Sequence, residues 1–131
     1  MENFNFIESA VIFGLCDAGN YKQFTYSPKD FAEHGKAYEF IQSYIDDYKD
    51  FPTVEVLKEK FDSLKLDAQS VNFNYALNEF SKQVMFRHII SVFQDNKPLL
   101  TDNPKKALGS IMDNLNDIEI LHDSDVNQYD T

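Results

Sequence analysis

Residues 70–95 read SVNFNYALNEFSKQVMFRHIISVFQD, a run without Gly or Pro. Such a run, bounded by Asn96-Lys97-Pro98, predicts one long helix from about Ser70 to Asp95. At 100° per residue, Phe73, Ala76, Leu77, Phe80 and Val84 fall on one side. Met85, Phe86, Ile89, Ile90, Val92 and Phe93 fall on roughly the opposite side. The apolar face therefore switches at Val84/Met85. A continuous helix does this when its first half packs on one body and its second half on another; a break at the switch is the alternative. The second cluster spreads over an arc of roughly 160°, wider than one partner helix needs. The expected fold is all-α: a small globular helical head, residues 1–80, then a projecting antiparallel helical hairpin, residues 81–121.

The flanking segments fit this reading. From Asn3 to Asp17, Phe6, Ile7, Ala10, Val11, Gly14 and Leu15 recur at helical steps, and Ala18-Gly19-Asn20 supplies a stop. Tyr21 to Tyr26 reads as an aromatic loop that packs down. Ser27-Pro28-Lys29-Asp30 starts a helix, with Ser27 as N-cap and Pro28 at the first helical position. Gly35 to Tyr48 predicts a helix with the stripe Ala37, Phe40, Ile41, Tyr44, Ile45 and Tyr48; Lys49-Asp50-Phe51-Pro52 closes it. Thr53 caps a helix over Val54 to Leu64. Downstream, Asn103-Pro104 starts the last helix, with Ala107, Leu108, Ile111, Leu115 and Ile118 on one face and Met112 at its margin. The connection is short, so the last two helices should fold back on each other. Residues 122–131 read as an acidic flexible tail or the start of a linker.

Composition narrows function without naming one. The chain has 131 residues, 12 Lys+Arg against 22 Asp+Glu, and a formal charge of -10. A strong nucleic-acid binder needs local excess positive charge, so direct strong binding is not expected. The acidity is uneven: six acids and no Lys or Arg follow Lys106, leaving a net of only -4 before it. A DNA-mimicking surface over the whole head is thereby weakened. Cys16 is the only cysteine, which excludes an internal disulfide and a cysteine-based zinc site. It reads as a buried, reduced thiol of a cytoplasmic protein. The acidic N-terminus lacks a signal peptide's basic region, and no apolar run approaches a membrane span.

No constellation points to catalysis. His34, His88 and His122 have no paired spacing and read as surface or boundary residues. Asp123-Ser124-Asp125-Val126-Asn127 opens like a calcium loop, but Gln128 stands where Gly is needed. No phosphate-cradling glycine run and no nucleophile elbow is present. Asp46, Asp47 and Asp50 read as a solvated face. No metal or cofactor is expected. Arg87, the only arginine, is a rim residue or a partner contact. The wide apolar arc of the hairpin is the feature that points to function. Left uncovered it would form an interaction site; the other possibility is that the head folds over it. The candidate self-association residues are Met85, Phe86, Ile89, Phe93, Ile111, Met112 and Leu115, the partner being a second copy through a two-fold face.

The chain resembles the N-terminal domain of DnaB-type replicative DNA helicases, especially those encoded by bacteriophages. The resemblance is carried by Glu8-Ser9-Ala10-Val11-Ile12-Phe13-Gly14-Leu15, Ser27-Pro28-Lys29-Asp30-Phe31, Tyr38 to Tyr48, and Phe51-Pro52-Thr53-Val54 with Leu57. Lys82 to Phe93 and Lys105 to Leu121 look like the two hairpin helices. The match covers nearly the whole chain and is a pattern of helices and caps without a catalytic signature. The stretch between Phe31 and Tyr38 is shorter than in typical relatives. The chain stops about where the family's linker to its ATPase domain begins, as expected of a fragment or of a stand-alone relative.

The resemblance implies a non-catalytic domain of the primosome, with hairpins that pair between subunits and a hexameric parent. Such domains form a collar above the motor ring and dock primase or a helicase loader during DNA replication. The protein would then act in the bacterial host cytoplasm. The alternative is a stand-alone phage adaptor or inhibitor that binds a host replication protein.

Overall fold

The computed structural model describes the backbone of residues 4–129, with side chains through residue 118. Among the described residues every regular element is helical, so the chain is all-α. Six α-helices follow in order: α1 (Phe4–Gly14), α2 (Ala18–Gln23), α3 (Gly35–Tyr48), α4 (Val54–Lys60), α5 (Phe73–Asp102) and α6 (Pro104–Tyr129). Two 3-10 turns, Pro28–Asp30 and Leu66–Ser70, lie between them. The chain divides into two compact units, Met1–Phe80 and Ser81–Thr131.

In the first unit, α1 is apolar almost all round, which suits only a central position. Ala10, Val11, Ile12, Phe13 and Leu15 are all buried. The helix ends three residues before its periodicity suggests, at Gly14 rather than Asp17. Asn20 Nδ2 donates to the Gly14 carbonyl at 2.8 Å, satisfying an orphan group of the helix end. Asp17 then serves the next helix instead: its carboxylate accepts from the Gly19 N–H at 2.9 Å and caps α2. The expected stop, Ala18-Gly19-Asn20, is thus the start of α2, and only Phe24–Tyr26 of the expected aromatic loop remains irregular.

Phe24, Tyr26 and Phe31 close around Phe80, the largest fully buried side chain among the described residues, and Tyr38 packs on Phe24 and Phe31. Centroids lie 4.7 Å apart for Phe31–Phe80 and 5.2 Å for Tyr26–Phe80, within the favourable range for aromatic pairs. Ser27-Pro28 starts a 3-10 turn only. The Asp30 carboxylate accepts from the Ser27 N–H at 2.9 Å and the Ser27 hydroxyl at 3.2 Å, holding the turn closed before Phe31 enters the core. α3 matches its expected bounds and ends on Lys49 in the left-handed region. Of its expected stripe Ala37 and Ile41 are buried, Phe40, Tyr44 and Ile45 are half-buried and Tyr48 is exposed, whereas Tyr38, outside that stripe, is buried. Thr53 caps α4 by accepting from the Val56 N–H at 3.2 Å, and the helix stops at Lys60 rather than Leu64.

α5 starts later and ends later than expected. Asn72 caps it through the Tyr75 N–H, and the helix passes Pro98 to reach Asp102. A proline removes one donor and costs about 3 kcal/mol inside a helix. Here only the last turn lies beyond it, and the Asn103 N–H still reaches the Leu99 carbonyl at 2.7 Å. Asn96, expected as part of the stop, is a buried helical residue whose Nδ2 donates to the Val92 carbonyl at 2.8 Å. Asn103 caps α6 by accepting from the Lys106 N–H at 3.1 Å, with Pro104 in the first helical position as expected. α6 continues to Tyr129, so its helical backbone runs through most of the stretch expected as a tail; Asp130 and Thr131 lie outside the described residues.

Candidate interaction surface

In the second unit, α5 leaves one apolar stripe open. Phe86 is 51% exposed and Phe93 45%, and Ile90 and Leu100 are exposed beside them. At 100° per residue these four side chains fall within about 80° of arc, with exposed Lys97 in their midst. Among the described residues of this unit, Val84, Asn96, Ala107 and Ile111 are buried. On α6, Leu108 is 57% exposed and Met112 60%. These two stripes leave six large apolar side chains roughly half open, on the order of 500 Å² together. An exposed apolar area of that order is large for the surface of a single chain.

The candidate residues divide as follows. Phe86, Phe93 and Met112 are exposed; Met85, Ile89 and Leu115 are half-buried at the stripe margins. Ile111 does not belong to an open surface. It is only 7% exposed and lines the inward face of α6 with Ala107. Conversely, Leu108 was expected on that inward face and is open, and Ile90 and Leu100 complete the stripe on α5. Arg87 is half-buried.

The first unit holds a polar cluster that no local pattern announces. Glu8 is fully buried on α1, and its carboxylate accepts from the backbone N–H groups of Ala32, Glu33 and His34 at 2.6, 2.8 and 2.9 Å. It therefore fixes the turn that leads into α3. Ser9 beside it is also buried; its hydroxyl donates to Asn5 Oδ1 at 2.9 Å and accepts from the Lys65 N–H at 3.0 Å. His34, expected at the surface or boundary, is buried too, with Nε2 2.8 Å from Asn5 Oδ1. Asn5 Nδ2 donates to the Ser63 carbonyl at 3.1 Å, so its Oδ1 is the acceptor and His34 Nε2 carries the proton.

Ser, His and Glu are thus neighbours without forming a nucleophilic triad. His34 Nε2 is a donor and cannot take the Ser9 proton, and Glu8 holds backbone rather than the imidazole ring. The cluster ties α1 to the 31–34 and 63–65 turns. Burial lowers the His34 pKa from its ordinary value, against the opposing pull of the Glu8 and Glu33 charges. Cys16 is half-buried, and desolvation raises its pKa to about 11, which keeps the thiol protonated and unreactive.

A shallow groove of about 530 Å³ lies between α4 and the Leu66–Ser70 turn, lined by Val54, Glu55, Lys58, Glu59, Leu66 and Gln69. Its one ammonium, Lys58 Nζ, is engaged by the Asp62 and Leu64 carbonyls at 2.5 and 2.7 Å, so it serves the loop. Among the described residues no His/Cys/Asp/Glu group could hold a metal ion, and no helix is long and apolar enough to cross a membrane. The calcium-like stretch from Asp123 has no described side chains. Comparison with protein families, curated proteins and solved structures finds no match for this chain.

Proposed function

We propose that this chain is a non-catalytic assembly and docking domain of a DnaB-type replicative helicase, self-associating through an antiparallel hairpin of α5 and α6. The observation that carries the reading is the open apolar stripe of Phe86, Ile90, Phe93 and Leu100. Water-exposed phenylalanines on one helical face are costly to leave uncovered, and a second copy brings the same stripe to the same place. The helical and capping pattern that resembles the helicase domain supports the same reading. In it the collar of paired domains presents the surface that primase or a helicase loader grips.

The test is mass measurement by light scattering over a concentration series, with Phe93→Asp as the variant. Phe93 is half-exposed, so the substitution spares the core while placing an unpaired charge inside the association face. The expected result is a concentration-dependent dimer or higher oligomer for the natural chain and a monomer of unchanged helicity for the variant. A natural chain that stays monomeric at about 100 μM, a concentration at which interfaces near 8 kcal/mol are largely occupied, overturns the proposal. A monomer that binds a host replication protein would identify the chain as an adaptor or inhibitor instead.

A further inference from the structure

The first unit carries a surface of its own, separate from the apolar stripes of the second. The groove of about 530 Å³ between α4 and the Leu66–Ser70 turn has walls that the fold holds in place. Leu57 anchors α4 in the core, and Leu64 and Ala68 anchor the turn; all three are buried. The Ser9 hydroxyl accepts from the Lys65 N–H at 3.0 Å, and Asn5 Nδ2 donates to the Ser63 carbonyl at 3.1 Å. Lys58 Nζ ties α4 to the same loop through the Asp62 and Leu64 carbonyls. Between its two buried neighbours in the turn, Leu66 is held 45% exposed at the groove, and Val54 lines the α4 side. Walls fixed before an occupant arrives lower the entropic cost of binding it.

The same geometry leaves the groove's charge unbalanced. Its lining sets Glu55 and Glu59 against Lys58 alone, and the Lys58 ammonium is engaged by the loop carbonyls. The other cation of α4, Lys60, lies over the Phe40 ring at 5.2 Å. Glu55 and Glu59 are both exposed and stand one helical turn apart. That spacing, about 6 Å along the axis, is repeated by Lys or Arg side chains four residues apart on a second helix. Apolar side chains inside the groove with two carboxylates at its edge complement a basic amphipathic helix.

The sequence separates this occupant from the alternatives. Nucleic-acid phosphates are repelled by the glutamate pair. A second copy lacks the matching element: nowhere in the chain do two Lys or Arg residues stand three or four positions apart. We propose that the groove between α4 and the Leu66–Ser70 turn docks a basic amphipathic helix of another protein. One bulky apolar side chain of that helix sits between Val54 and Leu66, and a Lys or Arg pair four residues apart meets Glu55 and Glu59.

The experiment is fluorescence-anisotropy titration of the full chain into a labelled helical peptide, AKLAAKLAAKLA-amide, whose Lys and Leu each recur every fourth residue. A dissociation constant on the order of 10–100 μM is expected, as for one short helix in one groove. Glu55→Lys/Glu59→Lys should weaken binding about tenfold or more, and should bind the charge-swapped peptide AELAAELAAELA-amide better than the natural chain does. Leu66→Ser should weaken the Lys peptide about fivefold. Asp46→Lys/Asp47→Lys makes the same change in net charge at exposed positions on α3 and should alter binding less than about twofold. All these positions are exposed, so unchanged helicity by circular dichroism is expected of each variant. Phe93→Asp should bind the peptide as the natural chain does. No binding at about 1 mM peptide, equal losses in the α3 and α4 charge variants, or loss of binding in Phe93→Asp each overturn the proposal. Self-association is read separately by light scattering, so failure of this docking site leaves that test standing, and the reverse.

Discussion

Removing the buried carboxylate of Glu8 should destabilise the first unit more than any surface change. In Glu8→Gln the side chain keeps its length and packing, but the acceptor-only carboxylate becomes an amide. Three backbone N–H groups now converge on it, from Ala32, Glu33 and His34 at 2.6 to 2.9 Å. The amide oxygen can hold two of them, and its own NH₂ then faces the third as donor against donor. Hydrogen bonds to a charged group contribute about 1.5–3 kcal/mol each, and a buried unsatisfied donor costs about 1–3 kcal/mol. Part of the loss is returned, because the charge no longer has to be desolvated. The expected net is about 3 kcal/mol. For a unit of roughly 80 residues, 1 kcal/mol moves the midpoint by about 4–8 °C, so Tm should fall by about 12–24 °C. Tyrosine fluorescence during urea unfolding is the assay: the chain has no Trp, and six of its seven Tyr lie in residues 1–80. A Glu8→Gln variant within about 0.5 kcal/mol of the natural chain, the scatter of an ordinary surface substitution, would refute the account of Glu8 as the clamp of the 31–34 turn.

Two further outcomes follow from the same unit. His34 has a folded pKa below its unfolded value, so the neutral ring is the folded form; stability should be full above about pH 6.5, fall as the pH drops through that unfolded pKa, and level off below the folded one. His34→Gln, followed by the same urea titration from pH 7.5 to 5, should lose this slope, and an unchanged slope would assign the acid sensitivity elsewhere. Gly14→Ala should lower stability by about 1–3 kcal/mol, because the added Cβ would overlap the Phe73 ring at the start of α5. A thermal midpoint equal to that of the natural chain would show that the ring is free to move aside.

The legible parts of this fold are those governed by neighbours a few residues apart. Thr53 before α4, Asn103-Pro104 before α6 and the closure of α3 at Lys49 all act within one turn, and each is found in place. The rule failed where two local devices competed. Ala18-Gly19-Asn20 could end one helix or follow a cap, and the Asp17 carboxylate decided for the cap. Pro98 looked like a terminator, yet a proline one turn from a helix end removes a single bond and leaves the rest of the ladder standing. The Glu8 and His34 partners were out of reach altogether, because they lie 24 to 29 residues away and follow no period. On α6, phase alone grouped Leu108 with Ile111; they stand about 60° apart around the axis, and that is enough to place Ile111 in the core and Leu108 in water, because an apolar stripe has two edges.

The two units solve the burial problem in opposite ways. Residues 1–80 enclose their aromatic side chains around Phe80 and satisfy a buried carboxylate, hydroxyl and imidazole internally. Residues 81–131 supply only two helical segments, and a helix with an apolar arc of roughly 160° cannot hide it behind one neighbour. The uncovered remainder is not scattered: Phe86, Ile90, Phe93 and Leu100 share a line along α5, and Leu108 and Met112 share one along α6. Random surface apolarity would not respect helical phase, whereas a face shaped for another helix must. Asn96 sharpens the contrast, since a polar side chain is spent on the inward face while phenylalanines are left outside. A sequence under pressure only to fold would exchange these positions. That they are not exchanged is the observation that supports the proposal that the outward face of the second unit associates with another chain.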